Sequence, residues 1–486
     1  MNVINIVIDS LNRHYLSSYG GNTPTPNLDK LAQRSWIFDN HFIGAAPCMP
    51  ARRELMTGRK EMFWRGWGVI EPFDKHIATI AAESGATTAI ITDHYHYWEM
   101  PCHGYFEMFQ CAKLIRGQEV DFDNMMTFDK LPKWSENIKE RGRPAFADLH
   151  YKNAVNLKTE EDFPSPKTFA EACDWVDNNH SREKFFLWVE PFDVHEPFHV
   201  PEPYRSMFTN ESEDNNFTCW PPYQEGFHGH NENFWNTTSD AEIEYIRSQY
   251  KGKLAMLDKW LGKLLDKIDK YNLWNNTAII LTTDHGHELG EKERFGKQPP
   301  MYDESARIPL FIYHPEYKPA NRINAFTTAV DIYATVIDIL ETPNKSAPHG
   351  KSLMPLIKGE TDMHRSANIY GWFGAGVTIT NSEYTYHCSW DPSKPLNWYS
   401  ASYPFIQDNI TSGYFMPDVK APLWKLPRLS ETPPLPEMLF NRKSDPSQQH
   451  NIAEENPKIC LEMKKLLRKL MTEEGVPSEQ FERLML

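Results

Sequence analysis

"VINIVIDS", Val3 to Ser10, is apolar from its start to Ile8 except at Asn5, and then meets Asp9. A run that is apolar on both alternating faces fits a central strand covered by helices on both sides. Four more runs share this form. "TTAIIT" (Thr87–Thr92) leads into Asp93-His94-Tyr95-His96, and "KFFLWV" (Lys184–Val189) leads into Glu190 and then His195. "TAIILTT" (Thr277–Thr283) leads into Asp284-His285-Gly286-His287, and "IPLFIY" (Ile308–Tyr313) closes the series. Helical patterns lie between them. Thr25-Pro26 reads as an N-cap followed by proline at the first helical position. From about Ala241 to Lys270, Ile243, Ile246, Tyr250, Leu254, Leu257, Leu261, Leu265 and Ile268 form one stripe at helical spacing. Strands alternating with helices predict an α/β fold with a large, mostly parallel sheet between helical layers.

Asp9, His96, His195, Asp284 and His285 each follow the carboxyl end of a predicted strand. Ligands of open α/β sheets bind at that edge, so these scattered residues should converge in space. Polar residues often follow strands, but that alternative explains one or two such positions more easily than all five.

The chain has 486 residues, enough for a large domain and a smaller one. Texture changes near Met363. "GVTITNSEYTYHCSW" reads as antiparallel strands, "MPDVKAPLWKLPRLSETPPLPEM" as Pro-rich connections and "NPKICLEMKKLLRKLM" as a last helix. Residues 1–362 are therefore expected to form the large catalytic domain, and 363–486 a smaller α+β domain with an antiparallel sheet and a helix. Segments 134–170 and 200–240 are polar and rich in Pro, Asn and aromatics, and are expected to be long loops acting as lids or binding loops. The net charge of −15, with no long basic run, argues against nucleic acid as a partner. The seven cysteines are widely spaced and contain no C-x-x-C pair, so neither a disulfide scaffold nor a zinc ribbon is expected. No apolar stretch is long enough to span a membrane. A strand starts at once with no visible signal peptide, which reads as cytoplasmic, or as periplasmic or secreted if a signal was removed.

One cysteine stands in a distinctive setting, "CMPARRELMTG", Cys48 to Gly58. This resembles the signature of formylglycine-dependent (type I) sulfatases, C-x-P-x-R followed by a Leu-Thr-Gly turn. Companion segments extend the resemblance over almost the whole chain: "VINIVIDSLNRHYLSSYGG", "TPNLDKLAQRS", "KLAMLDKWLGKLLDKI", "TTDHGHELGEKERFGK", "MYDESARIPLFIYHP", "AVDIYATVIDIL", "HGKSLMPLIKGE" and "MLFNRKSDPSQQHNIAEENP". The family has an alkaline-phosphatase-like fold. Its cysteine is oxidised to an aldehyde, formylglycine, by a separate maturation enzyme, which would be a partner of this chain. The hydrated aldehyde attacks sulfur and expels the alcohol; the carbonyl then re-forms and ejects sulfate.

The resemblance implies a role for each matching residue. Asp9, Asp284, His285 and the modified residue 48 would hold a divalent cation. Calcium is expected, with magnesium or manganese as alternatives. Ser10 stands where many relatives have a second aspartate, and offers a weaker oxygen. Arg52 would hold residue 48 or its loop. Lys297 and His195 would contact sulfate, and His195 would protonate the leaving oxygen. Relatives often read Gly-Lys-x-His after the Thr87–Thr92 strand, where this chain has Asp93-His94-Tyr95-His96; the lysine is missing. His96 is assigned as the base and His94 as a sulfate contact. His287 and Arg65 are further pocket candidates.

The implied reaction is hydrolysis of a sulfate ester, with a sulfated small molecule or oligosaccharide as partner. A sulfated carbohydrate, cut at a chain end, is favoured by the aromatic stretch "FTCWPPYQEGFHGHNENFW" (Phe217–Trp235), which offers stacking faces. Two alternatives stay open: a phosphonate monoester or phosphodiester hydrolase of the same superfamily, and an inactive relative that binds sulfated glycans.

Overall fold

The computed structural model describes residues 1–212, 215–223, 234–319, 322–402, 408–429 and 433–486. Its main sheet has eight strands, in the order Ile323–Thr328, Trp36–Phe42, Leu310–Tyr313, Thr277–Thr282, Asn2–Val7, Phe185–Glu190, Thr87–Thr92 and Cys111–Leu114. Leu310–Tyr313 runs antiparallel to both its neighbours, and the other pairings are parallel. The Val3–Ile8 run lies in the Asn2–Val7 strand and its exit, between two partners. Ile4 and Ile6 face one apolar layer with Leu254, Leu257 and Leu261. Val3 and Val7 face the other, with Leu55, Ile332 and Val336. Burial on both faces is why the run lacks polar alternation.

The long helix spans Asp240–Lys270, and the Ser239 hydroxyl accepts from the Glu242 amide at 3.2 Å. Of the stripe, all but Ile243 are fully buried, each contributing about 2 kcal/mol of apolar burial. The Pro26–Arg34 helix starts where Thr25-Pro26 predicts, but Thr25 makes no side-chain cap. The buried Asp258 carboxylate of the long helix does that work, accepting from the amides of Asn27 (3.1 Å) and Leu28 (2.7 Å). A cap supplied from 230 residues away leaves no local signal.

Segment 134–170 corrects the loop expectation. It holds helices Lys133–Arg141 and Pro144–Ala154 and the start of Pro164–Asn179. Pro144 and Pro164 are first-turn residues, where proline favours a helix instead of breaking it. Phe169, Ala172, Cys173 and Val176 then bury the last helix against the sheet. Residues 200–212 and 215–223 are irregular, as expected, and residues 224–233 of the aromatic stretch lie outside the described residues.

A second sheet runs Met438–Asn441, Tyr384–Cys388, Val377–Thr380, Asn368–Trp372 and Ala45–Ala46, antiparallel except at its last pairing. Helix Pro457–Glu473 buries Cys460, Met463 and Leu467 in the same apolar cluster as Ile379 and Tyr386. A three-stranded sheet adds Leu396–Ser400, Leu423–Arg428 and Thr411–Gly413. Its Leu423–Arg428 strand lies inside the segment expected to be only Pro-rich connection. Pro427 is tolerated there because it sits beyond the stretch paired on both sides. Ala45–Ala46 comes from the N-terminal part of the chain, so the second sheet is completed just ahead of Cys48.

Candidate active site

Because most main-sheet strands are parallel, their carboxyl ends share one edge, and Asp9, Asp93, Glu190 and Asp284 arrive there together. Cys48 opens helix Cys48–Thr57, all of whose residues are buried. The positive end of the helix dipole therefore lies at Cys48. Gly58 ends the helix at φ 66°, its amide bonded to the Glu54 carbonyl at 2.9 Å. A Cβ at Gly58 would come within 2.6 Å of the Tyr333 ring. The Thr-Gly turn is thus a helix stop pressed against a neighbour.

Asp9, Cys48, Asp284 and His285 are all buried, and one ligand atom from each lies within 4.8 Å of the others. Cys48 Sγ is 3.2 Å from His285 Nε2, and that nitrogen is 3.1 Å from Asp284 Oδ2. The other ring nitrogen of His285 faces the Gly286 carbonyl at 2.9 Å, which fixes the ring. Ser10, at φ 58°, ties the acids together. Its hydroxyl donates to Asp9 Oδ1 (2.7 Å) and its amide to Asp284 Oδ1 (3.1 Å). Burial, and then the nearby Asp284, push the Asp9 carboxyl up to about 7. Burial also works to raise Asp284, but His285 and Arg52 overcome it and hold that acid at about 2. Two oxygen donors and one imidazole nitrogen, short of positive charge, fit a divalent cation.

Arg52 is fully buried and touches three acids: Asp9 (2.7 Å), Asp284 (2.5 Å) and Glu190. It also donates to the Cys48 carbonyl at 3.2 Å. Glu190 in turn accepts from Trp188 Nε1 (2.7 Å) and the Tyr97 hydroxyl (2.9 Å). One guanidinium thereby joins the cysteine helix to three strand ends.

A second group faces Cys48 across a cavity of about 460 Å3. Lys297 Nζ is 2.5 Å from His195 Nε2 and 3.4 Å from Glu196 Oε2. Burial opposes the Lys297 charge, but Cys48 and Glu196 hold its pKa well above the ordinary lysine value. Burial drives His195 well below the ordinary histidine range, so Lys297 carries the shared proton. His287 Nδ1 lies 3.4 Å from Glu196 Oε2, and the Tyr223 hydroxyl bonds Glu196 Oε1. The cavity wall also carries Glu119, Arg143, Trp67, Trp372 and Trp398.

The two histidines after the Thr87–Thr92 strand separate. His94 is buried beneath the cavity, with Nδ1 3.8 Å from Asp9 Oδ2 and Nε2 3.3 Å from Met49 Sδ. Burial, then Arg52, keep it neutral. His96 lines the cavity and pairs with Glu99 at 2.5 Å. Arg65 falls outside the site: it is buried against Glu61 (2.6 Å) and Asp74 (2.8 Å), in a structural ion cluster. Sequence reasoning missed Glu119, Arg143, Glu190, Glu196 and Tyr223. Glu190 carried the same signal as Asp9, an acid ending an apolar strand. Glu119 follows the short edge strand Cys111–Leu114, which carries no apolar run to reveal it, and Arg143 lies between two helices.

A family model described as Sulfatase matches residues 1–342. Arylsulfatase K of Gallus gallus is 21% identical over 511 residues, covering 98% of this chain and 83% of its own. Among solved structures, the phosphonate monoester hydrolase of Agrobacterium radiobacter aligns with TM-score 0.69 at 20% identity, covering 97% of this chain and 96% of its own. A structure titled a 2-O GAG sulfatase aligns with TM-score 0.63 at 16% identity, covering 97% and 92%. Both alignments run over the mixed sheet described above and its smaller antiparallel companion. With the family model spanning well over half its length, this chain belongs to the sulfatase family, alkaline-phosphatase-like enzymes that hydrolyse sulfate esters.

Proposed function

We propose that the protein hydrolyses sulfate esters of carbohydrates, with residue 48 matured from cysteine to formylglycine by a partner enzyme. The observation that carries this reading is Cys48 Sγ, 3.2 Å from His285 Nε2 and inside the Asp9–Asp284–His285 cluster, on the wall of a cavity that also holds Lys297 and His195. Asp9, Asp284 and His285 would hold the divalent ion, with Ser10 in reach to orient Asp9. Once bound and matured, the ion and the aldehyde would together supply a nucleophile of lowered pKa and a counter-charge for the sulfate oxygens.

The chain's own residues do the rest. Arg52 fixes the acids and the start of the cysteine helix. The helix N-terminus and Lys297 draw the sulfate in. Lys297 holds a proton beside neutral His195, ready for the departing alcohol oxygen. His94, neutral and 3.8 Å from Asp9 Oδ2, takes the place of His96 as the proposed proton acceptor, and His96, on the cavity wall, is left to contact the substrate. Trp67, Trp372 and Trp398 offer flat faces for a sugar ring.

The test is turnover by protein made with the formylglycine-generating enzyme, on sulfated mono- and oligosaccharides beside aryl sulfates. Release of sulfate only from matured protein is expected; equal activity from unmatured protein would overturn the role of residue 48. A second reading, a phosphonate monoester or phosphodiester hydrolase, is favoured by the TM-score of 0.69 to the Agrobacterium radiobacter enzyme and by Ser10 in place of a further acid. Parallel assays on aryl sulfate and aryl phosphonate separate the two by their ratio of kcat/KM.

A further inference from the structure

We infer that Glu119 selects the alcohol half of the substrate, by accepting a hydrogen bond from a hydroxyl or amino group carried on it. The inference rests on the sulfate-ester reading above and specifies what the alcohol must offer.

Glu119 lies in the turn region after strand Cys111–Leu114 and lines the cavity that reaches Cys48. The residue is only 5% exposed, yet its Oε2 has no hydrogen-bond partner among the described residues. A buried carboxyl oxygen left unpaired is uncommon and costly in a folded protein. His195 does not relieve it. His195 Nδ1 is 3.8 Å away and already faces the Glu196 carbonyl at 2.6 Å. Burial pushes the Glu119 carboxyl up to about 8, against the pull of Arg143; Tyr95 bonds the carboxyl group, and Oε2 is the oxygen left over.

The backbone holds the side chain there. Glu119 has φ 43°, a left-handed conformation that non-glycine residues adopt at a cost and that clusters at functional sites. Its carbonyl faces His150 Nδ1 (3.0 Å) and accepts from Asn153 Nδ2 (3.4 Å). The preceding Gln118 donates to Asp93 Oδ2 at 2.6 Å, and Asp93 also accepts from the Phe192 amide at 2.9 Å. The turn is therefore pinned to the two segments that deliver His94 and His195. A substrate donor reaching Oε2 supplies the missing bond; an aryl sulfate with no donor leaves it unpaired. Sites built on a buried polar group reject partners lacking the matching group far more strongly than apolar sites reject a misfit.

The experiment compares wild type, Glu119→Gln and Glu119→Ala, all matured, on 4-nitrophenyl sulfate, on the 2-, 3- and 6-sulfates of glucose and on glucosamine 6-sulfate. Monodeoxy analogues of whichever sugar is cleaved complete the set. The expected result is a fall of roughly 10- to 100-fold in the sugar-to-aryl ratio of kcat/KM for Glu119→Ala, carried mainly by KM. Glu119→Gln keeps an acceptor carbonyl, so it should retain more of the ratio if the donor is a hydroxyl and little if it is an ammonium. On wild type, one deoxy analogue should lose the same factor, and that loss should vanish in Glu119→Ala. This arm works on wild type alone should a variant fold poorly. Parallel loss on sugar and aryl substrates, no loss on either, or wild-type cleavage of the aryl ester but none of the sugars would each overturn the inference. Wild type that cleaves no sulfate ester at all would instead overturn the functional reading on which it rests.

Discussion

Arg52 is where the charge balance of the site is concentrated. Its guanidinium meets Asp9, Asp284 and Glu190 with no water between, so its loss would leave buried carboxylates facing one another. Breaking a buried ion pair by removing one partner costs about 3–5 kcal/mol. Arg52→Ala should therefore lower the melting temperature by several degrees as well as abolish turnover, whereas Cys48→Ala should abolish turnover and leave melting nearly unchanged. Thermal melts beside sulfate-release assays check both. On the proposed reading Lys297→Ala would remove a proton donor and a sulfate contact together, and a fall in kcat of roughly 100-fold or more is expected from steady-state kinetics. At this scale much of the site was legible. Asp9, Cys48, Arg52, Asp284 and His285 announced themselves by strand-end position and by the cysteine motif, and the structure brings them together. The order of His94 and His96 in depth was not legible, because a short 3-10 helix, Tyr95–Trp98, turns the two rings different ways.

At the scale of single elements, the chain relies on contacts that no local pattern reveals. Helix Val330–Ile339 carries buried Asp331, which accepts from the amides of Thr328 and Lys351 at 2.9 Å and pairs with Arg365 and His364 (3.1 Å). Burial works to raise its pKa, but Arg365 and His364 outweigh it and hold the acid far below the usual carboxylate range. A depressed folded-state pKa stabilises the native protein at pH values above the unfolded value, about 4, and that stability is lost as pH falls further. Asp331→Asn should thus destabilise the protein by about 3 kcal/mol at pH 7, and the gap from wild type should narrow below pH 4 in pH-resolved denaturation. Gly58→Ala should also destabilise, by more than about 1 kcal/mol, because it adds a Cβ at φ 66° against the Tyr333 ring. Periodicity revealed the long helix and the central strands. It could not reveal that Asp258 caps a distant helix, or that the prolines of 134–170 begin helices.

For the whole molecule, the cysteine helix is clamped between two sheets. Ala45–Ala46 pairs with Asn368–Trp372 just before it, and Arg59–Asp418 and Lys60–Glu474 tie its exit to the C-terminal part of the chain. The strand–helix alternation made the main sheet readable, and the texture change near Met363 pointed to the second. The borrowed Ala45–Ala46 strand was invisible because two residues carry no pattern. A divalent ion bound among Asp9, Asp284 and His285 would stabilise the folded state by mass action. Chelation should therefore lower the melting temperature by several degrees and stop turnover, and adding back calcium, magnesium or manganese one at a time should identify the ion by which restores both.

The central claim is that residue 48, once matured, attacks sulfate esters within this cluster. Its most direct measurement is sulfate release from 4-nitrophenyl sulfate by protein co-produced with the formylglycine-generating enzyme, with Cys48→Ala run beside it. The account predicts turnover by the first and none above background by the second. Equal turnover by both would contradict it.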